Sequence, residues 1–183
     1  KSAYFHLASI EYLNNNENKM NNFIVNLRDY GNTFSNKDKI ALKYSTNLSS
    51  YNKFLLRARF LYDGAYYHRA LDELSKIDIE SNFFSNVNMI SEYWYRKARI
   101  LQKLESSNNE IVSLFKKSIA SKSNASTHFR PMSALQIALI YELEKDYDNS
   151  KVFFTKCLKY KSYDYEKSIR KRAKEGLKRI ANI

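Results

Sequence analysis

Small and large apolar residues recur along this chain at a spacing of 40. Ala58, Ala98 and Ala138 fall in one column, Phe54, Trp94 and Ala134 in a second, and Leu61, Leu101 and Tyr141 in a third. Within each copy the columns lie four and three residues apart, the spacing that stacks side chains on one helix face. Each copy therefore opens with an amphipathic helix. After a polar turn, Leu74, Leu114 and Phe154 form a further column, with Tyr67 and Tyr147 ahead of the first and third, so a second helix follows. The recurring alanine has a mechanical reason: antiparallel helices approach closely only where no large side chain separates them. The stretch YDGAYYHRAL at 62–71 and the stretch EKDYDNSKVFF at 144–154 then read as equivalent turns between paired helices.

Outside these copies the pattern is fainter. Residues 1–30 offer one helix carrying Tyr4, Leu7 and Ala8, a turn at NNNEN, and a second helix carrying Met20, Ile24 and Leu27. Residues 37–50 fit either an additional helix or an ordered linker, and the connections 78–90 and 118–131 are long. Near 164–181, Ile169, Ala173, Leu177 and Ile180 share one face, with Arg170, Lys171, Arg172, Lys174 and Lys178 elsewhere, as in a solvating cap. Gly176 should weaken that helix by about 1 kcal/mol relative to alanine. The expected fold is all-α, an α-α superhelix of antiparallel helix pairs. It divides into an N-terminal degenerate repeat with linker helix at 1–50, three helix pairs at 51–163 and a basic capping helix at 164–183.

Composition narrows the chemistry. Three glycines and one proline are too few to punctuate an all-β domain or to build Gly-rich phosphate loops. The lone Cys157 and the scattered His6, His68 and His128 give no metal-ligand spacing, so no cofactor or metal is expected. No apolar run is long enough to span a bilayer, and the opening KSAYFHLASIEY is amphipathic, unlike a signal peptide. The chain does not begin with Met, which reads as processing or a fragment. The net charge of +12 raises nucleic-acid binding. Its excess is local, however, with eight Lys and Arg against three Asp and Glu in 160–183 but four against four in 131–159.

Candidate catalytic groups have bland readings. His68 falls beside the buried positions Tyr67, Ala70, Leu71 and Leu74 and faces outward without a nucleophile in register. Asp72, Glu73, Glu142 and Glu144 lie on helix surfaces, and Cys157 occupies a small-residue column as a small hydrophobe. No catalytic residue emerges. The aromatic runs at 66–67, 83–84 and 93–95 each place at least one ring off the packing seam, which suits a partner surface.

The order aromatic, small, apolar, turn, small, aromatic resembles the tetratricopeptide repeat. It runs through Ala138, Tyr141, KDY at 145–147, Ser150, Phe154 and Cys157 in the third copy, and through Phe54, Ala58, Leu61, Tyr67, Ala70 and Leu74 in the first. The second copy contributes Trp94, Ala98, Leu101 and Leu114. That repeat is usually about 34 residues long, so the period of 40 reflects the longer connections. Most of the chain is similar to the carboxy-terminal part of large tetratricopeptide-type proteins of Bacteroidetes. The resemblance implies a non-enzymatic scaffold for a protein or peptide partner, at the cell envelope or periplasm or alternatively in the cytoplasm. It leaves the oligomeric state open. A nucleic-acid-binding module using the basic C-terminal helix is the alternative.

The same resemblance assigns ligand contacts to first-helix positions off the seam: Asn52, Leu55, Arg59 and Tyr62 in one copy, Glu92, Tyr95, Arg99 and Gln102 in the next. Arg59 and Arg99 each follow the small alanine directly. They either converge on one groove and clamp an acidic group, or Arg59 pairs with Asp63 one turn on while Arg99 is solvated.

Overall fold

A computed structural model of the chain describes residues 1–79, 87–122 and 126–182. The aromatic pair Phe83 and Phe84 lies outside them. The described residues are helical and hold no strand. The helices are α1 (Ser2–Leu13), α2 (Glu17–Asp29), α3 (Asn36–Ser45), α4 (Lys53–Asp63), α5 (Tyr67–Ser75), α6 (Val87–Lys103), α7 (Asn108–Ala120), α8 (Phe129–Leu143), α9 (Tyr147–Lys159) and α10 (Glu166–Ala181). A 3₁₀ turn at Leu48–Ser50 follows α3, so the 37–50 segment is a helix with a tight exit. The long connections are shorter than the sequence pattern indicates, because α6 starts at Val87, α7 runs to Ala120 and α8 starts at Phe129.

The chain divides into two compact units, Lys1–Arg57 and Ala58–Ile183. In the first, α1, α2 and α3 pack on one another, around Phe5, Ala8, Met20, Ile24, Leu27 and Ala41. Met20, Ile24 and Leu27 are the expected face of α2. On α1 the buried set is Phe5, Ala8 and Ser9, while Leu7 stays 41% exposed. Apolar residues occur all round α1, so its sequence cannot select a face.

In the second unit, α6 pairs with α7 and α8 with α9, each helix also packs on the next along the chain, and α6 touches α8 as α8 touches α10. Ala58, Ala98 and Ala138 have no exposed surface, and Leu74 and Phe154 are likewise fully enclosed. Around Ala98 and Ala138, α6, α7 and α8 come close enough for small buried hydroxyls to bond across them. Ser118 Oγ donates to the Ser91 carbonyl at 2.8 Å, and Ser133 Oγ meets Ser118 Oγ at 3.0 Å.

The turns repeat as faithfully as the core. Ala65, Glu105 and Lys145, one period apart, adopt left-handed φ values of 63°, 56° and 61°. In each turn the next N–H reaches back to the apolar column: Tyr66 to Leu61 at 2.8 Å, Ser106 to Leu101 at 3.1 Å, and Asp146 to Tyr141 at 2.9 Å. This closes the helix with a Schellman bond that satisfies a terminal carbonyl. In YDGAYYHRAL the left-handed residue is thus Ala65 and not Gly64, and His68 is an exposed residue of α5. Ser107 and Asp146 then cap the N-termini of α7 and α9 through the amides of Glu110 and Asn149.

Two arginines one period apart tie successive pairs together. Arg130 Nε donates to the Ile119 carbonyl at 3.0 Å, and Arg170 Nη1 to those of Leu158 and Tyr160 at 2.7 and 3.1 Å. Each satisfies the open end of the preceding helix. On α10, Ile169 and Ala173 are buried and Leu177 and Ile180 half-buried. Gly176 is a requirement here and not a weakness: a Cβ at this position would overlap the ring of Phe154. Arg179 holds Glu142 of α8 with two bonds of 2.7 and 2.8 Å.

Overpacking either close approach, by Ala98→Leu or Gly176→Ala, is expected to destabilise the fold by about 1–3 kcal/mol. The exposed Lys171→Ala should stay within about 0.5 kcal/mol of the parent. Thermal melts that leave Gly176→Ala at parental stability contradict the α9–α10 contact. Conversely, Ala65→Gly removes the cost of a left-handed alanine and is expected to stabilise by about 0.5–1 kcal/mol after the added unfolded-state freedom is subtracted. A lowered melting temperature in that variant would be incompatible with the turn.

Candidate functional site

Outside its packing seam, α6 carries Glu92, Tyr95, Arg96 and Arg99, spaced at about one and two turns. All four belong to the second unit and meet side chains from four other segments. Arg99 Nη2 donates to the Tyr62 hydroxyl of α4 at 2.9 Å, and its guanidinium lies 5.9 Å from the centre of that ring. Its Nε is buried without a partner, and no carboxylate pairs with it among the described residues. Burial works against the Arg99 charge, but the Tyr95 and Tyr62 oxygens outweigh it and hold its pKa above the usual value.

Tyr95 stands at the centre of an aromatic group. Its ring lies 5.6 Å from Phe129, 6.0 Å from Phe115 and 6.2 Å from His128. His128 in turn meets Phe129 at 4.4 Å and Tyr165 edge-on at 5.3 Å. Tyr165, at the N-cap of α10, has a left-handed φ of 62°, a costly conformation for an aromatic residue. Burial pushes the Tyr95 hydroxyl pKa up, opposed by the charges of Arg99, Arg96 and Arg172.

Charged groups ring this cluster. Arg96 Nε donates to Glu92 at 2.6 Å, and its guanidinium lies 5.8 Å from the centre of the Phe129 ring. Arg59 and Asp164 act on both His128 and Tyr165. Arg172 acts on Tyr95. The charges of four guanidiniums, Arg59, Arg96, Arg99 and Arg172, and of two carboxylates, Glu92 and Asp164, thus act on these rings. The His128 Nδ1 is buried without a partner. Burial lowers its pKa from 6.5 to about 4, with Glu92 opposing, Arg96 reinforcing, Asp164 opposing and Arg59 reinforcing. His128 is therefore neutral near pH 7.

The first-helix positions named from the sequence separate into distinct roles. Tyr62 and Arg99 bond to each other and adjoin Tyr95 in the second unit, while Arg59 acts electrostatically on His128 and Tyr165. Arg59 makes no ion pair with Asp63 among the described residues, and Arg99 is half-buried rather than solvated. Glu92 is 3% exposed and ion-paired with Arg96, and Gln102 is half-buried further along α6. In the first unit, Leu55 has no exposed surface and Asn52 caps α4 through the Leu55 amide at 3.0 Å. The basic set of α10 also divides. Arg170 caps α9, Arg172 is exposed and its charge acts on Tyr95, Lys171 lies 3.9 Å from Glu175, and Lys174 and Lys178 are exposed.

Arg96, Phe115, His128, Phe129, Asp164 and Tyr165 are members that sequence reasoning missed. All but the mid-helix Arg96 and Phe115 sit in connections or at helix starts, where periodicity carries no information. The one available signal is their order: each aromatic residue adjoins the start of a first helix, and the two lie near one period apart, as Phe129 and Tyr165 do. Elsewhere, Cys157 is buried and its thiol pushed up to about 12, which removes it as a nucleophile near neutral pH. Glu142 and Glu144 are engaged by Arg179 and Asn108.

A histidine with a depressed native pKa binds its proton in the unfolded state first, so stability present above pH 6.5 is lost as the pH falls toward 4. The melting temperature should therefore drop through this window, and His128→Phe should make the drop shallower. Parallel profiles for parent and variant would place His128 in water.

In comparison with known proteins, residues 133–164, from within α8 to just short of α10, fit the tetratricopeptide repeat family. No curated protein and no solved structure matches the chain. With the period of 40 and the successive helix pairs, the match makes this chain a tetratricopeptide-like helical-repeat protein.

Proposed function

We propose that the second unit binds a segment of a protein partner on the face where α4 and α6 meet His128, Tyr165 and Arg172. Tetratricopeptide repeats commonly mediate protein–protein interaction and generally form non-catalytic scaffolds, which supports a binding role. The observation that carries the finer reading is Arg99, a half-buried cation whose hydrogen bond goes to a tyrosine and whose Nε has none. A guanidinium has five N–H donors, and leaving a buried donor unpaired costs about 1–3 kcal/mol. An acidic group from a ligand would supply the missing acceptor, while Tyr62 and Tyr95 offer ring surface to the apolar part of the same segment.

The nucleic-acid reading has less support. Arg170 of the basic helix is spent on the end of α9, Arg179 on Glu142, and Lys171 neighbours Glu175. Arg172 is the member of that helix whose charge acts on Tyr95.

The test is capture of a partner from native lysate, its identification by mass spectrometry, and measurement of its affinity for the parent and for Arg59→Ala, Arg99→Ala and the double variant. Each single substitution is expected to weaken binding by about tenfold or more, since hydrogen bonds to charged groups contribute about 1.5–3 kcal/mol. Melting temperatures should fall little, because neither guanidinium holds a carboxylate among the described residues, and loss of the Arg99 bond to Tyr62 is offset by removal of its unpartnered Nε. A double variant with parental affinity would move the binding surface elsewhere.

A further inference from the structure

We propose that the first unit carries a separate binding site for a small zwitterion, an α-amino acid or short peptide whose carboxylate meets Lys53 and whose ammonium meets Glu17. It belongs to the unit that the partner-binding face does not use, and it stands on its own observations.

Where the turn between α1 and α2 meets the 3₁₀ turn and the start of α4, a cavity of about 360 Å³ is lined by residues that include Tyr12, Asn15, Glu17, Met20, Ser49 and Lys53. Small-molecule pockets run from about 300 to 1,000 Å³. Its walls are tied to one another. The Tyr12 hydroxyl donates to the Tyr51 carbonyl at 2.7 Å, with the Ser49 carbonyl at 3.1 Å, which fastens the end of α1 to the 3₁₀ turn. Asn15, left-handed with a φ of 59°, leads the chain toward α2. Its side-chain oxygen accepts from Lys53 Nζ, and that ammonium stands 4.6 Å from the centre of the Tyr12 ring. Lys53 is thereby held at the cavity wall.

Both signs of charge line this cavity without neutralising each other. Among the described residues, neither the half-buried Lys53 nor the exposed Glu17 forms an ion pair. An ammonium has three donors, and the one bond Lys53 makes goes to a neutral amide. A simple anion would be attracted by Lys53 and repelled by Glu17, and a simple cation the reverse. A ligand that carries both charges gains both attractions as charge-assisted hydrogen bonds. Met20, 3% exposed, adds apolar surface for the ligand's side chain.

The probes are L-leucine and glycyl-L-leucine. N-acetyl-L-leucine and L-leucinamide are the controls, each lacking one charge. All are titrated into the ¹⁵N-labelled full chain at about pH 6, where free α-amino groups, with pKa about 7.7–8.0, are charged. The readout is saturable movement of the backbone amide resonances of residues 15–20. At least one zwitterion should saturate and bind about tenfold or more tightly than either control. Glu17→Gln and Lys53→Met should each weaken it about tenfold or more. Lys53→Met also loses the Asn15 bond, so the exposed Glu17→Gln, checked by its melting temperature, carries the test if the other variant unfolds.

Saturation by leucine alone supports the site with a free amino acid as ligand, and saturation by the dipeptide alone supports it with termini set further apart. N-acetyl-L-leucine binding as tightly as the zwitterions would make this an anion site and overturn the proposal. Equal binding of L-leucinamide would make it a cation site and do the same. No saturable response to either zwitterion up to about 10 mM, or parental affinity in a folded Glu17→Gln, would overturn it as well.

Discussion

Close approach of helices at residues with little or no side chain is the constraint on which the second unit depends. Ala98 and Ala138 are fully enclosed, Ser91, Ser118 and Ser133 bond to one another where α6, α7 and α8 meet, and Gly176 admits the Phe154 ring against α10. At such spacing the large residues one turn away, Leu101, Leu114 and Leu135 among them, interlock. Each fully buried Leu or Phe contributes about 1.5–3 kcal/mol, but only if the small positions let the helices come together. The stripe of α6 that bears Arg96 and Arg99 is then fixed in rotation by the opposite stripe bearing Ala98 and Leu101.

Rotational fixing explains how charged groups can be gathered at little conformational cost. Tyr95, Arg96 and Arg99 ride on a helix locked by its core face, and His128 and Tyr165 stand at the starts of the next two first helices. A site spread over stacked elements is preorganised when the stacking is rigid, which lowers the ordering entropy paid on binding. The scaffold bears an electrostatic cost for this. The Arg99 charge is kept out of water beside neutral phenols, and His128 is held neutral. Both arrangements are stable only because the surrounding packing over-determines them.

Much of this was legible in the sequence, and the limits have physical causes. The columns Ala58/Ala98/Ala138 and Leu74/Leu114/Phe154 mark real core positions because helix period and repeat period act together, and the stretch 62–71 contains the turn between α4 and α5. On α1 the sequence selects no face, because an apolar helix on all sides offers no moment to interpret: Ala8 and Phe5 are inside and Leu7 outside. Leu55 and Glu92 were placed by register alone, which cannot see that Leu55 is enclosed or that Arg96 draws Glu92 inward. Gly176 was priced by helix propensity, a local quantity, whereas its role is set by an aromatic ring 22 positions earlier in the chain. His128 and Asp164 belong to connections, where no pattern links sequence position to spatial neighbours.

The arginine ties between successive helix pairs have a consequence for how the second unit comes apart. Because Arg170 covers the last carbonyls of α9 from α10, and Arg130 does the same for α7 from α8, fraying cannot stop cleanly at a repeat boundary. Detaching α10 strips the carbonyls at the end of α9 of their donor, so the last turn of α9 opens with it as one cooperative segment. Amide protons there exchange at the rate set by the departure of α10. An element that looks like a removable cap therefore acts as a clasp, and the smallest piece that can open without leaving orphaned carbonyls is larger than one helix.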